Sequence, residues 1–324
     1  MKRKWPLIWL ALSLLTSASA RQFPAFALFL KLYAARPLSA IISALSALLP
    51  FPAAGLYLAV LALLPGAALL ALRHKPFKRP LAVLLCALLT GYILLWDVLY
   101  ACSAPPASNI STASLAALCE QFVDRAEEAL PSAFPIEKHV LPDAALQLMR
   151  AQTGFPLQSV KWTPFPTLFS SLGVAGLYFP LTGEAFINGD ELPDTLPFTI
   201  CHELAHQAGW ARESEANYAA FLACEACDVP AFRYSAHFAM LLYGMSMLHK
   251  ADEARWRDCL NRMSSLLLKR FARAGGLDFT PSVGAQAMQE KLTDAFLRLS
   301  GDASGIGSYE QVIPLIAAHW QTQE

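Results

Sequence analysis

His202-Glu203-Leu204-Ala205-His206 is the stretch on which the reading of this chain turns. Two histidines four apart on a helix project from one face, one turn apart, so both imidazoles can reach one ion. The glutamate after the first histidine stands where it can take a proton from water at that ion. The chain has only seven histidines, so their pairing around a glutamate carries weight. Two of the three protein ligands of a zinc hydrolase, of the metallopeptidase kind in particular, are thereby in place.

The flanking residues punctuate this helix. Asp194 or Thr195 is expected to cap it, Pro197 to occupy its first turn, and Gly209 to end it through a left-handed residue. A third ligand must then come from beyond the turn. A second helix is expected from about Arg212 to Cys227, with Glu213 and Glu215 in its first turn. They point about 200° apart, so only one can face the ion. Glu213 is preferred because it shares a stripe with Asn217, Ala220 and Cys224. Asn217, one turn on, can orient His202 through its outer ring nitrogen. Glu215 stays the alternative ligand, and a solvated acidic first turn would account for either. Tyr218, Tyr234 and His237 are candidate donors to an oxyanion, or packed helical residues. Cys224 and Cys227 form C-x-x-C without a second pair, which speaks against a four-cysteine zinc site and leaves a disulfide open.

Residues 171–190, SLGVAGLYFPLTGEAFINGD, carry turn signals at Thr182-Gly183 and Asn188-Gly189 and read as a strand or hairpin. A strand just before a metal helix can rim a cleft and pair with an extended peptide; an ordinary structural hairpin reads equally well. Helices are expected over 115–130, 142–152, 232–250, 253–273, 285–300 and 309–320.

Hydrophobic residues make up 55% of the 324 and charged ones only 15%. Ten of the 25 basic residues but only one acid, Asp97, fall in 1–100, which leaves 101–324 at net −9. No basic face suggests nucleic acid binding. The first hundred residues read as a transmembrane anchor of about three spans, near 5–20 or 5–30, 53–72 and 81–100. Residues 38–49 read as interfacial, and Trp96 and Tyr100 suit a membrane interface. Lys2-Arg3-Lys4 before an uncharged run, with Ala18-Ser19-Ala20 after it, also fits a signal peptide. A linker at 101–112 and a domain at 113–324 follow. Arg73, Lys75, Lys78 and Arg79 between the last two spans place that domain outside the cytoplasm; Arg21, Lys31 and Arg36 oppose this.

GLYFPLTGEA at 176–185 and PFTICHELAHQAGWARESEAN at 197–217 resemble an uncharacterised bacterial membrane-protein family, domain of unknown function 3810. The resemblance covers nearly the whole chain and is strongest from Gly173 to Cys224. The E-x-x-A-N of Glu213 to Asn217 is similar to a gluzincin-type motif whose first glutamate binds zinc. The resemblance implies N-terminal transmembrane helices followed by a mainly α (α+β) zincin-like metallopeptidase domain with a small β-hairpin before the metal helix. It implies one Zn²⁺ on His202, His206 and Glu213, with Glu203 as general base, in a bacterial multi-pass membrane protein. The expected function is a membrane-anchored zinc metalloendopeptidase with a peptide or protein substrate, seated in the lipid bilayer. The alternative is a non-catalytic zinc-binding sensor or assembly protein of the same fold. Substrate, cleavage preference and oligomeric state lie beyond the sequence.

Overall fold

The computed structural model describes residues 5–49, 51–73, 75–102, 110–280 and 282–321. The basic triplet at 2–4 and most of the predicted linker, 103–109, lie outside them. Four apolar helices open the chain: α1 (Trp5–Gln22), α2 (Pro24–Ala47), α3 (Ala53–Arg73) and α4 (Pro76–Ala101). Among the described residues α2 and α4 are long and apolar enough to cross a membrane. Helices α1 and α3 cover the first two predicted spans.

Helix α2 departs from expectation. The sequence predicts a loop around Lys31 and Arg36 and a separate interfacial segment at 38–49; the structure has one helix from 24 to 47. In a regular helix Pro37 would clash with the carbonyl of Tyr33. A π turn over Lys31–Ala35 precedes the proline, and its wider ring takes up the misfit. A second π turn, Ile93–Asp97, interrupts α4 and packs against the first. There Asp97 is buried, accepts from Ser17 Oγ at 2.6 Å and pairs with Arg21. Helix α1 runs parallel to α4: Cys86 Sγ donates to the Pro6 carbonyl, and Ser13 Oγ meets Thr90 Oγ1 at 2.8 Å.

Beyond the linker come α5 (Thr112–Ala133), α6 (Leu141–Thr153), β1 (Lys161–Trp162), α7 (Pro166–Ser171), β2 (Gly176–Phe179) and β3 (Glu184–Ile187). Then follow α8 (Leu196–Gln207), α9 (Glu213–Glu225), α10 (Pro230–Ala251), α11 (Glu253–Arg262), α12 (Ser265–Arg273), α13 (Gly284–Ser300) and α14 (Val312–Gln321). The sequence predicts one helix over 253–273. Ser264 divides it, its Oγ capping α12 by accepting from Leu267 N at 3.1 Å.

Helix α5 starts at Ser111, whose Oγ accepts from Ser114 N, and buries Leu115, Cys119, Phe122 and Ala126 at helical spacing against α10. The sheet order is β1-β3-β2, with β1 parallel and β2 antiparallel to β3, so β2 is an edge strand. Helix α8 lies at the centre, against α6, α9, α10 and the hairpin.

The boundary predicted near residue 100 is not a break in packing. Ala35, Trp96, Leu99 and Tyr100 share one core with Leu204, Ala205 and Phe221. The buried carboxylate of Glu184, in β3, accepts from the first backbone N–H groups of α3, Ala53 at 3.0 Å and Ala54 at 2.7 Å. A carboxylate at a helix N-terminus satisfies orphan donors and favours the dipole. Ser46 Oγ donates to the Thr182 carbonyl at 2.6 Å. The apolar helices are thus fastened to the hairpin that precedes the metal helix.

Candidate metal centre

Helix α8 brings His202 and His206 to one face, their ring centroids 4.6 Å apart. Pro197 fills its first turn. The predicted side-chain cap is absent. Asp194 instead accepts from Tyr234 Oη at 2.8 Å and Arg270 Nη1 at 2.9 Å, and Thr195 Oγ1 donates to Glu191. Ser235 Oγ, from α10, takes over by accepting from Phe198 N at 3.0 Å. The helix ends at Gly209, whose φ of 98° only glycine adopts without strain. That turn aims the Trp210 carbonyl at His206 Nδ1, 2.7 Å away. The bond makes Nδ1 the proton-bearing nitrogen and leaves the Nε2 lone pair facing inward.

Helix α9 begins at Glu213, which it delivers to the same point. Glu213 Oε2 lies 3.2 Å from His202 Nε2 and 3.4 Å from His206 Nε2, and all three residues are buried. Yet Oε2 makes no hydrogen bond. The three groups offer one ligand atom each within 4.8 Å of one another, as a shared ion requires. Zinc bonds of about 2.0–2.2 Å in a tetrahedron put neighbouring ligand atoms about 3.3–3.6 Å apart. The spacing, the unmatched Oε2 and the donor set of two imidazoles and one carboxylate fit zinc.

Electrostatics bind the triad together in the metal-free chain. Burial opposes charge on His206, but Glu213 and Glu203 outweigh it and hold the imidazole at about 9. Burial likewise opposes charge on Glu213, yet His206 and His202 hold its carboxyl well below the usual range. Glu203 is 5% exposed and its Oε2 is unpartnered. Burial pushes this carboxyl up, the two histidines pull it down and Glu213 adds to the rise, with a net increase.

The hairpin forms a wall. A Cβ on Gly176 would stand 2.5 Å from Glu203 Oε1, so β2 lies directly on this carboxylate. Gln207 ties α8 to the hairpin turn, donating to the Gly183 carbonyl at 2.9 Å. The Trp96 ring of α4 is 5.5 Å from His206 and 5.8 Å from Tyr178. The sequence places Trp96 at a membrane interface; the structure makes it a wall of the metal centre, 6% exposed.

Other predicted residues fall elsewhere. Glu215 is outside the triad, and its charge acts on Cys102, whose thiol is raised first by burial. Asn217 does not orient His202: its Nδ2 donates to the Tyr309 carbonyl at 3.3 Å, while His202 Nδ1 has no hydrogen-bond partner. Tyr218 packs beside His319 on the outer side of α9, and Tyr234 is committed to Asp194. His237 sits among Phe122, Phe221 and Trp320, and burial, with Arg125 and Arg233, pushes it down to about 3. The cysteines are free thiols. The aromatic residue at the centre is instead Tyr309, stacked 6.5 Å from His202, its hydroxyl pushed up by burial and then by the charge of Glu213. It lies in a turn before α14 with no local pattern to mark it.

Residues 31–317 match the family described as Protein of unknown function (DUF3810). The chain belongs to this family. The matched region takes in most of α2, all of α3 and α4, and the His202–His206–Glu213 cluster, while α1 lies outside it. No curated protein and no solved structure matches the chain.

Proposed function

We propose that this DUF3810 member is a membrane-anchored, zinc-dependent metallopeptidase. The observation that carries the reading is the convergence of His202, His206 and Glu213 at 3.2 and 3.4 Å without a hydrogen bond, beside the desolvated Glu203. One Zn²⁺ per chain, held by these three, would supply Lewis acidity toward a carbonyl and toward water. Glu203 takes the proton from the attacking water and passes it to the leaving amine. Its raised proton affinity suits a base that must afterwards act as an acid. The Trp210 carbonyl keeps His206 in the tautomer that ligation needs. The position of β2 at the sheet edge, on Glu203, suits an extended peptide that pairs by adding a strand.

The anchoring is inferred from the helices. Glu184 holds the N-terminus of α3 at the hairpin, so α3 leads away from the metal centre and α4 returns to it. Since α1 is parallel to α4, its start shares the remote end with Arg73, which ends α3, and with Lys78 and Arg79 in the first turn of α4. Basic residues there favour a cytoplasmic remote end and a metal centre on the opposite side.

The test is peptide-library cleavage by the purified full chain beside Glu203→Gln. The variant should keep zinc and lose hydrolysis by a factor of about 10²–10⁴, the usual range for a general base. A wild-type chain that holds zinc and cleaves nothing would establish the non-catalytic sensor or assembly reading instead.

A further inference from the structure

We propose that α13 meets the membrane surface and buries an apolar face in lipid. The inference rests on reading α4 as a span. Met288, Leu292, Phe296 and Leu299 recur at steps of four, four and three and fall within about 80° of one side of the helix. They are 60, 64, 41 and 81% exposed, and Val283, just ahead of the helix, is 81% exposed. The side toward the protein is marked by Leu297 and Ser300, at 1 and 2%. The remaining side is polar: Lys291, Asp294 and Arg298 stand on it, the last two paired at 2.7 Å. A helix with an inner side, a charged side and an uncovered apolar side has two of its three surfaces explained.

The third is explained by where α13 is clamped. The Phe296 ring lies 6.3 Å from Tyr92 of α4, Tyr92 Oη meets Ser300 Oγ at 3.1 Å, and Arg21 of α1 donates to the Ser300 carbonyl at 3.4 Å. Helix α4 has 26 residues, about 39 Å at 1.5 Å each, against a hydrocarbon core of about 30 Å. Its excess length belongs to the metal-centre end, where Ile93 to Tyr100 are enclosed by protein. Helix α3, held to the hairpin at Ala53, reaches Arg73 about 30 Å away, a full core, and the same hairpin touches Gly91, so Tyr92 falls near the boundary of the hydrocarbon on the metal-centre side. The tip of the hairpin reaches the same level, Leu181 lying against Gly91. The apolar stripe thus begins where lipid meets protein, and lipid is the occupant that position supplies. The pairing of an exposed apolar face with a charged flank is that of helices that lie in the interfacial plane.

The full chain in phospholipid membranes, carrying photoreactive benzoylphenylalanine at Leu292 or Leu299, tests this by intact-mass detection of phospholipid adducts after irradiation. Adducts are expected at both positions and not at Lys291, on the charged side. The same probe at Leu85 of α4, 47% exposed, tests the span itself. Adducts at Leu85 but none at Leu292 and Leu299 overturn the placement of α13. Cross-links from 292 or 299 to a second copy or to another protein overturn it too, by naming a different occupant. No adduct at Leu85 overturns the reading of α4 on which the inference rests.

Discussion

Glu213 and Asp194 are buried carboxylates at the starts of consecutive helices, 8 and 2% exposed, and their surroundings differ in kind. Asp194 has a donor for its charge on each side, the Tyr234 hydroxyl and the Arg270 guanidinium. Glu213 has only two imidazoles at contact distance, and its Oε2 makes no well-aligned hydrogen bond with either. A buried carboxylate without donors costs several kcal/mol unless something else neutralises it. The difference separates two kinds of buried acid: one is closed by donors, the other is left open toward a point it shares with two imidazoles. Substituting Glu213→Ala should weaken zinc binding by about 10³-fold, about 4 kcal/mol, while Glu215→Ala and Asp194→Asn leave it within a few-fold. Metal content and competition with a chelator measure this; loss of zinc in Glu215→Ala alone would move the third ligand.

The open carboxylate and its imidazoles should also make the chain respond to pH. In the metal-free chain His206 holds its proton to about 9 when folded, against about 6.5 when unfolded. The stability this contributes is fully present below pH 6.5 and is lost as pH rises through 9, about 3 kcal/mol in all. The lowered carboxyl of Glu213 reports the same interaction and adds nothing separate. Zinc affinity runs the other way and climbs through that window, because binding must displace the His206 proton. Thermal melts from pH 6 to 9.5 should therefore fall in chelator and stay level in excess zinc. Equal slopes under the two conditions would sink the assignment. Asp194→Asn keeps the shape but discharges the pair with Arg270, and should lower stability by about 2 kcal/mol with or without zinc.

The halves of this comparison were unequally legible. His202, His206 and Glu213 lie within twelve residues, so helix periodicity and one glycine turn nearly fix their relation. The hairpin from Gly176 to Ile187 was legible for the same local reason. Contacts that close over long stretches of chain left no pattern. Asp194 reads as a helix cap, because nothing in the sequence tells that Arg270 arrives beside it. Trp96 and Tyr309 reach the imidazoles from about 110 residues away on either side. Tyr218, Tyr234 and His237 are candidates by residue type alone, and packing places each away from the triad. Helix α2 reads as two pieces because Lys31 and Arg36 suggest a loop, and the π turn over Lys31–Ala35 that lets the helix continue has no sequence mark.

The smallest predicted effect separates the open carboxylates from each other. Gly176 has no left-handed backbone that would demand glycine, so alanine there is a purely steric probe. Its Cβ would fall 2.5, 2.7 and 2.8 Å from Oε1, Cγ and Cδ of Glu203. Glu203 is enclosed, so the methyl must turn the carboxylate or lift the edge strand. The nearest atoms to the methyl all belong to Glu203 and none to His202, His206 or Glu213, so the triad should keep its zinc. Gly176→Ala is therefore expected to lower kcat about tenfold, about 1.4 kcal/mol, at unchanged metal content. Because the strand is also the proposed seat of the peptide, KM separates the causes. A fall in kcat alone means a displaced base, and a rise in KM alone means a displaced strand. Unchanged kinetics would show that β2 does not rest on Glu203 in the working enzyme, and the wall of the site would have to be redrawn.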